Sequence, residues 1–304
     1  MSISASQVKE LREKTGAGMM DCKKALTETN DFEAAIDWLR AKGLSAAAKK
    51  SGRIAAEGLT AVSVKGNKAA AIEINSETDF VSRNEIFQNL VKEVAELAVA
   101  CDNIDSLKAA NAKSGKTVEE EIASNVATIG ENLNLRRMES ISVQDGVIAS
   151  YIHNSSAENM GMISVLVALE SSGDKNRLME VGKQIAMHIA AARPQSLSRD
   201  NVSADMIQRE KDIFTEQSRE SGKSDEIIGK MIEGRIRKFL EEIVLLEQVF
   251  VIDGKTKISE VIANLAKELG SGVELKSYIR FERGEGIEKE EKNFADEVAA
   301  VAGN

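Results

Sequence analysis

The sequence predicts an α+β fold: an N-terminal three-helix module, a two-subdomain α+β core, an antiparallel helical hairpin and a small C-terminal module. Three observations predict it. Apolar residues recur at helical spacing up to Gly43; the period changes to two at Leu59 and again after Met138; and two long helical runs flank the polar link Gly222-Lys223-Ser224. A chain of 304 residues exceeds what one core usually organises, so several units are expected. Their predicted bounds are 1–54, 55–144, 145–192 together with 245–270, 193–244 for the hairpin, and 271–304 for the C-terminal module and tail.

The first helix opens with a capping box, Ser4 to Gln7, carries Val8 and Leu11 on one face and stops at Gly16. A second runs from Met19 to Glu28, and a third places Phe32, Ala35, Ile36 and Leu39 together before Gly43. The Ala- and Lys-rich stretch Ser45 to Arg53 reads as a linker. Leu59 to Val64 and Ala69 to Asn75, joined at Gly66-Asn67, form a β-hairpin. A capping box at Ser82 and Glu85 then starts a helix with Ile86, Leu90, Val91, Val94, Leu97 and Ala98 on its buried face, and another at Thr117 and Glu120 starts a helix through Ile129.

Strand-like Met138 to Val143, a turn at Asp145-Gly146, and strands Val147 to Ile152 and Met162 to Leu169 repeat the hairpin-plus-helix plan. The helix Arg177 to Ala192 ends before Pro194, the single proline. Residues Ala204 to Ser221 and Asp225 to Val249 make the helical hairpin, its seam using Met206, Ile207, Ile213 and Phe214 against Ile228, Met231, Ile232, Ile236, Phe239 and Ile243. A helix from Ile258 to Leu269, capped by Gly270, should pack on the second unit. The alternating stretch Val273 to Phe281 reads as a half-exposed strand, and a charged tail from Gly284 ends in a small helix.

Composition excludes several functions. Hydrophobic residues at 42% supply packed cores, so global disorder is not expected. Forty basic against 49 acidic side chains leave a formal charge of −9, the wrong sign for a phosphate-tracking surface, and aromatics at 4% supply few base-stacking platforms. No direct nucleic-acid partner is expected. Cys22 and Cys101 lie far apart and outside any metal-spaced cluster, so they read as reduced thiols of a cytoplasmic protein. With no apolar signal region and no membrane-length apolar run, neither export nor a membrane partner is expected.

The motifs of covalent chemistry are missing. Two histidines are the whole supply; His188 falls on an apolar helix face as a core residue, and His153 ends a strand before the polar loop Asn154 to Asn159. No GxxxxGK[ST] or GxGxxG loop occurs, and the acidic clusters at Glu119–Glu121 and Glu288–Glu291 lack a calcium-loop pattern, so no cofactor and no metal are expected. The informative segment is Asn75 to Ser82. There Thr78, Asp79, Phe80 and Val81 connect a strand to a helix cap, so that Phe80 either presents an apolar wedge beside a carboxylate or packs under its own loop.

Four runs together resemble one family. Val8 to Leu44, Glu73 to Phe87 with Thr78-Asp79-Phe80-Val81 at its centre, Met187 to Pro194, and Ser221 to Val251 follow in order the text of elongation factor Ts of the bacterial type. The resemblance implies a guanine nucleotide exchange factor that works without covalent chemistry, its partner being elongation factor Tu in the GDP-bound and nucleotide-free states. It implies a ubiquitin-associated-like fold for the three-helix module, and Asp79 and Phe80 intruding near the partner's switch region to disturb its magnesium site. It also implies Leu11, Met19 and Met20 packing on the GTPase domain, and His153 supporting a shift of the phosphate loop. Where the family usually has a short glycine-rich turn after His153, this chain reads Asn154 to Met160. A homodimer or 2:2 complex stays open, because a solvated hairpin and a dimer seam share the same spacing. An interaction scaffold without exchange activity and an enzyme of unrecognised type are the competing readings.

Overall fold

The computed structural model describes residues 3–15, 17–219 and 225–288. Helix α1 (Ala5–Thr15) opens with the expected reciprocal cap: the Gln7 N–H donates to Ser4 Oγ at 3.2 Å and the Ser4 N–H to Gln7 Oε1 at 3.0 Å. Helix α2 (Met19–Thr29) ends on Asn30 in the left-handed region, and Asp31 caps α3 (Phe32–Lys50) by accepting from the Ala34 N–H. Val8, Leu11, Cys22, Ala25, Leu26 and Ala35 fill the space between the three helices. The third helix does not stop at Gly43 but runs on to Lys50, absorbing most of the expected linker. Gly43 lies against α6 (Val118–Ile129), where a Cβ would stand 3.8 Å from the Ala123 carbonyl oxygen. Packing against α6, reinforced by an ion pair from Arg40 to Glu120, sustains the helix through its weakest former.

Six antiparallel strands form one curled sheet: β1 (Glu57–Lys65), β2 (Lys68–Ser76), β3 (Asn134–Ser142), β4 (Gly146–Ala157), β5 (Met160–Glu170) and β6 (Glu274–Glu282). The order is β3-β2-β1-β5-β4, with β6 also on β5. The hairpin β1–β2 turns at Gly66, whose φ of +59° suits glycine. The turn after β3 closes no hairpin, since β3 pairs with β2 and β4 with β5. Gly161 pairs with Ser155 on one side and Thr60 on the other, so β1 and β6 share one edge of β5: β1 at its start, β6 from Ile163 onward.

Alternate side chains point to two different cores. From β1 and β2, Leu59, Ala61, Ile72 and Ile74 meet α4 (Glu85–Ala98) and α6; from β5, Val165, Val167 and Leu169 meet α7 (Lys175–Ala192) and α10 (Ile258–Leu269). The remaining residues, among them Val62, Ala69, Ala71, Leu166, Ala168 and Phe281, face inward to a third cluster enclosed by the sheet's own curl. Alanines on β2 keep that space narrow. Here Glu73 is fully buried, taking bonds from Arg137 Nε at 2.5 Å, Arg136 Nη1 at 3.2 Å and the Gly284 N–H at 2.7 Å, and the Arg137 guanidinium stacks 4.2 Å over Phe281.

Several expectations are corrected. Helix α4 is capped by Asn84, which accepts from the Ile86 N–H, and Ser82 instead closes a short 3₁₀ turn over Asp79–Arg83. Shifting the cap puts Phe87 in the core and leaves Ile86 48% exposed. A helix of six residues, α5 (Ile104–Ala109), lies between α4 and α6. The polar stretch after His153 is no loop, for β4 continues to Ala157 and turns only at Glu158-Asn159. Helices α8 (Ala204–Arg219) and α9 (Asp225–Ile243) pack through Ile207, Phe214, Ile232, Ile236 and Phe239, while Met206 and Ile213, expected in that seam, are exposed. Entry and exit of this excursion are pinned where Gln195 N–H donates to the Ile243 carbonyl and Leu245 N–H to that of Ser196, each at 2.8 Å. The expected link Gly222-Lys223-Ser224 and the tail from residue 289 lie outside the described residues.

Candidate functional site

At the C-terminal end of β2 the chain leaves the sheet, and the segment Glu77–Asn84 crosses to α4. Thr78 is extended, at φ −122° and ψ 158°, and the 3₁₀ turn starts at the next residue. Every part of this turn but its tip is tied down. The carboxylate of Glu131, in the loop after α6, accepts both donors of Thr78: the N–H at 2.9 Å and the hydroxyl at 2.6 Å. In the opposite direction Glu77 Oε1 accepts the Asn132 N–H at 2.6 Å and, more weakly, the Arg53 guanidinium at 3.4 Å. Beyond the tip, Val81 is buried, the Ser82 hydroxyl donates to the Asp79 carbonyl at 2.5 Å, and the Gln88 amide donates to the Ser82 carbonyl at 2.9 Å.

The tip itself is free. Phe80 is 77% exposed, and neither its ring nor the Asp79 carboxylate has a bonded, ion-paired or ring-stacked partner among the described residues. A large aromatic normally gains by folding inward, by about 1.5–3 kcal/mol when fully buried. Here the bonds on both sides of it leave the backbone no such freedom, so the ring stands exposed and is not packed under its own loop. Of the four residues expected here, Asp79 and Phe80 are exposed and Thr78 is half-buried, whereas Val81 is buried in the first core and is corrected from a partner contact to a core residue; Glu131, Glu77, Asn132 and Gln88 were not anticipated, the acidic residue after the helix-ending Gly130 being their one local signal.

The remaining candidates are dispersed. Met19 and Met20, in the first turn of α2, are 58% and 76% exposed and make a small apolar patch on the three-helix module. Leu11 was expected to contact a partner; it is fully buried among Val8, Cys22 and Leu26, so it cannot be a surface contact and is corrected to a core residue. His153 is exposed on β4, with its Nδ1 3.2 Å from the Tyr151 hydroxyl and the two rings tilted at 39°. His188 is fully buried between Gln248 and Phe250, and burial drives its pKa below the ordinary value.

Among the described residues no group of His, Cys, Asp and Glu is placed to hold a metal ion, and no helix is long and apolar enough to cross a membrane. Residues 77–285, which begin at this loop, match the sequence model of the family described as Elongation factor TS. The chain is 58% identical over 303 residues to the Elongation factor Ts of Rickettsia bellii, covering 99% of this chain and 98% of the relative. Identity to the Elongation factor Ts of Rickettsia typhi is 56% over 303 residues, with the same coverage, and to that of Rhodospirillum centenum 57% over 304 residues, covering 99% of both chains.

Proposed function

The chain belongs to the elongation factor Ts family, and on that premise we propose that it is the guanine nucleotide exchange factor of elongation factor Tu, acting through the wedge Asp79-Phe80. The observation that carries this is a Phe80 that is 77% exposed on a backbone bonded on both sides. A ring held out in this way can enter a partner without first paying to be ordered. Beside it the free Asp79 carboxylate brings negative charge toward any cation site the ring approaches.

Magnesium in such GTPases bridges the nucleotide phosphates to the phosphate-binding loop and demands near-octahedral geometry at short range, so a small displacement of its ligands costs much nucleotide affinity. The wedge supplies that displacement, and His153 supports the accompanying shift of the phosphate loop. Linkage then requires that GDP weaken the grip of this protein by the factor that the protein weakens GDP, so either expels the other and the final equilibrium is unchanged. No covalent step is involved. Met19 and Met20 of a ubiquitin-associated-like module pack on the GTPase domain and hold the wedge at its target, while α8 and α9 form a protruding coiled-coil hairpin. The reading places the protein in the cytoplasm with elongation factor Tu.

Stopped-flow release of a fluorescent GDP analogue from elongation factor Tu tests the proposal. The wild-type chain should accelerate release, and Asp79→Ala and Phe80→Ala should slow it while pull-down of the GTPase persists. A wild-type chain that binds but does not accelerate release is a scaffold, and the exchange reading is then withdrawn.

A further inference from the structure

We propose that Glu131 and Glu77 are positioning residues for exchange, a pair of crossed carboxylates that sets where the Asp79-Phe80 wedge leaves the sheet. The inference rests on the exchange reading of the loop. Neither residue is part of the wedge; each acts through the backbone that carries it.

The geometry is reciprocal. Glu131 reaches back to the N–H of Thr78, and Glu77, one residue before Thr78, reaches forward to the N–H of Asn132, one residue after Glu131. Two chain segments are thereby joined by each other's side chains in a register that a slip of one residue on either side would break. A third segment enters when the Asn132 amide donates to the Arg53 carbonyl at 2.8 Å and Arg53 returns its guanidinium to Glu77. Bonds from N–H and O–H groups to ionised carboxylates are the stronger kind, and Glu131 receives two from one residue, fixing both the backbone and the χ1 of Thr78.

This matters because, among the described residues, nothing else locates Phe80. Its ring packs on no core, so its place relative to the molecule is set by the backbone alone, and the backbone is set at Thr78 on one side and at Val81 and Ser82 on the other. The rest of the fold does not depend on the bracket. Strand β2 is held by pairing with β1 and β3 along its length, and α4 by Phe87, Leu90, Val91 and Val94 in the first core. Removing the Glu131 carboxylate therefore loosens the take-off of the wedge and leaves the elements on both sides in place. A catalytic contribution that depends on near-atomic placement falls steeply when its support loosens.

Glu131→Ala, Glu131→Gln, Thr78→Val and Thr78→Ser separate this from a general structural role, each measured in the full chain by two methods. In stopped-flow release of the GDP analogue, Glu131→Ala should lower the plateau rate about tenfold or more, with the half-saturating concentration moving less than about twofold. Glu131→Gln and Thr78→Ser, which keep part of the bonding, should recover most of the plateau, and Thr78→Val should not. In amide hydrogen exchange Glu131→Ala should expose residues 78–80 while protection in α4 and β2 stays at the wild-type level. A wild-type plateau in Glu131→Ala, a loss confined to the half-saturating concentration, or a Thr78 amide still protected would each overturn the proposal. If the wild-type chain itself does not accelerate release, the exchange reading fails and the positioning role falls with it. Amide exchange then reports separately whether the bracket exists.

Discussion

The hydroxyl of Thr60 lies 2.7 Å from that of Ser164, and both side chains are fully buried where the two halves of the sheet meet. Thr60 Oγ1 donates to the Gly161 carbonyl at 3.1 Å, which uses its one proton, so Ser164 is the donor between the two hydroxyls. Direct pairing of β1 with β5 is confined to Thr60 with Gly161 and Ala61 with Met160. The hydroxyl pair thus reinforces a join only two residue pairs long. Thr60→Val leaves Ser164 buried without its acceptor and should lower stability to urea by roughly 1–3 kcal/mol. Adding Ser164→Ala should cost little more, because the partner is already lost; strictly additive losses would show that the two hydroxyls do not act together.

Acid should weaken the second core through His188. The Val251 N–H donates to His188 Nδ1 at 3.3 Å, so the ring proton sits on Nε2 and is donated to Gln248 Oε1 at 2.9 Å. Burial lowers the pKa from its ordinary 6.5, opposed by the smaller effect of the Gln248 bond. The folded chain therefore keeps this histidine neutral where the unfolded chain takes up a proton. Its contribution to stability is complete above the unfolded value and is lost as pH falls below about 6.5 toward the lower folded value, with a slope of at most about 1.4 kcal/mol per pH unit. Urea midpoints measured from pH 7 to pH 5 should fall less steeply in His188→Gln than in the wild type. Equal slopes in the two proteins would assign the acid sensitivity to other groups.

Adjacent residues at the start of α4 should behave in opposite ways. Phe87 is fully buried in the first core and Ile86 is 48% exposed. Phe87→Ala should cost about 3–5 kcal/mol of unfolding free energy, whereas Ile86→Ala should stay within about 0.5 kcal/mol of the wild type. Similar losses at the two positions would mean that the helix is rotated from the face described.

That pair marks how far the sequence could be read. Periodicity located α4 correctly, and Leu90, Val91 and Val94 are buried as expected. Two apolar residues in succession, however, leave the first turn ambiguous, and the matching spacing of Ser82 and Glu85 favoured the wrong cap over Asn84. Similarly, the polar text Asn154 to Asn159 conceals a strand because its backbone is held by β5, a partner that local composition cannot show. Residue types and place singled out the segment Asn75 to Ser82 but left open whether Phe80 packs under its own loop, which the exposure of the ring decides. The supports of that loop were not legible, since Glu131 meets Thr78 across 53 residues of chain and only the fold brings them together. Leu11 illustrates the converse error, in which a residue inside a motif of a binding family proves to serve the module's own core.

The three-helix module offers the last separation of support from contact. Leu11 has no exposed surface, whereas Met20 is 76% exposed at the start of α2. Leu11→Ala opens a cavity in a core of few residues and should destabilise the module by about 2–5 kcal/mol, visible as early loss of helix on heating. Met20→Ala removes a flexible apolar side chain that touches solvent over most of its surface, so the melting curve should not move. If the methionine patch seats on the GTPase domain, Met19→Ala with Met20→Ala should raise the concentration needed for half-maximal nucleotide release and leave the plateau unchanged. A lowered plateau with unchanged half-saturation would place these methionines in the exchange step itself, and no change in either would remove them from the interface.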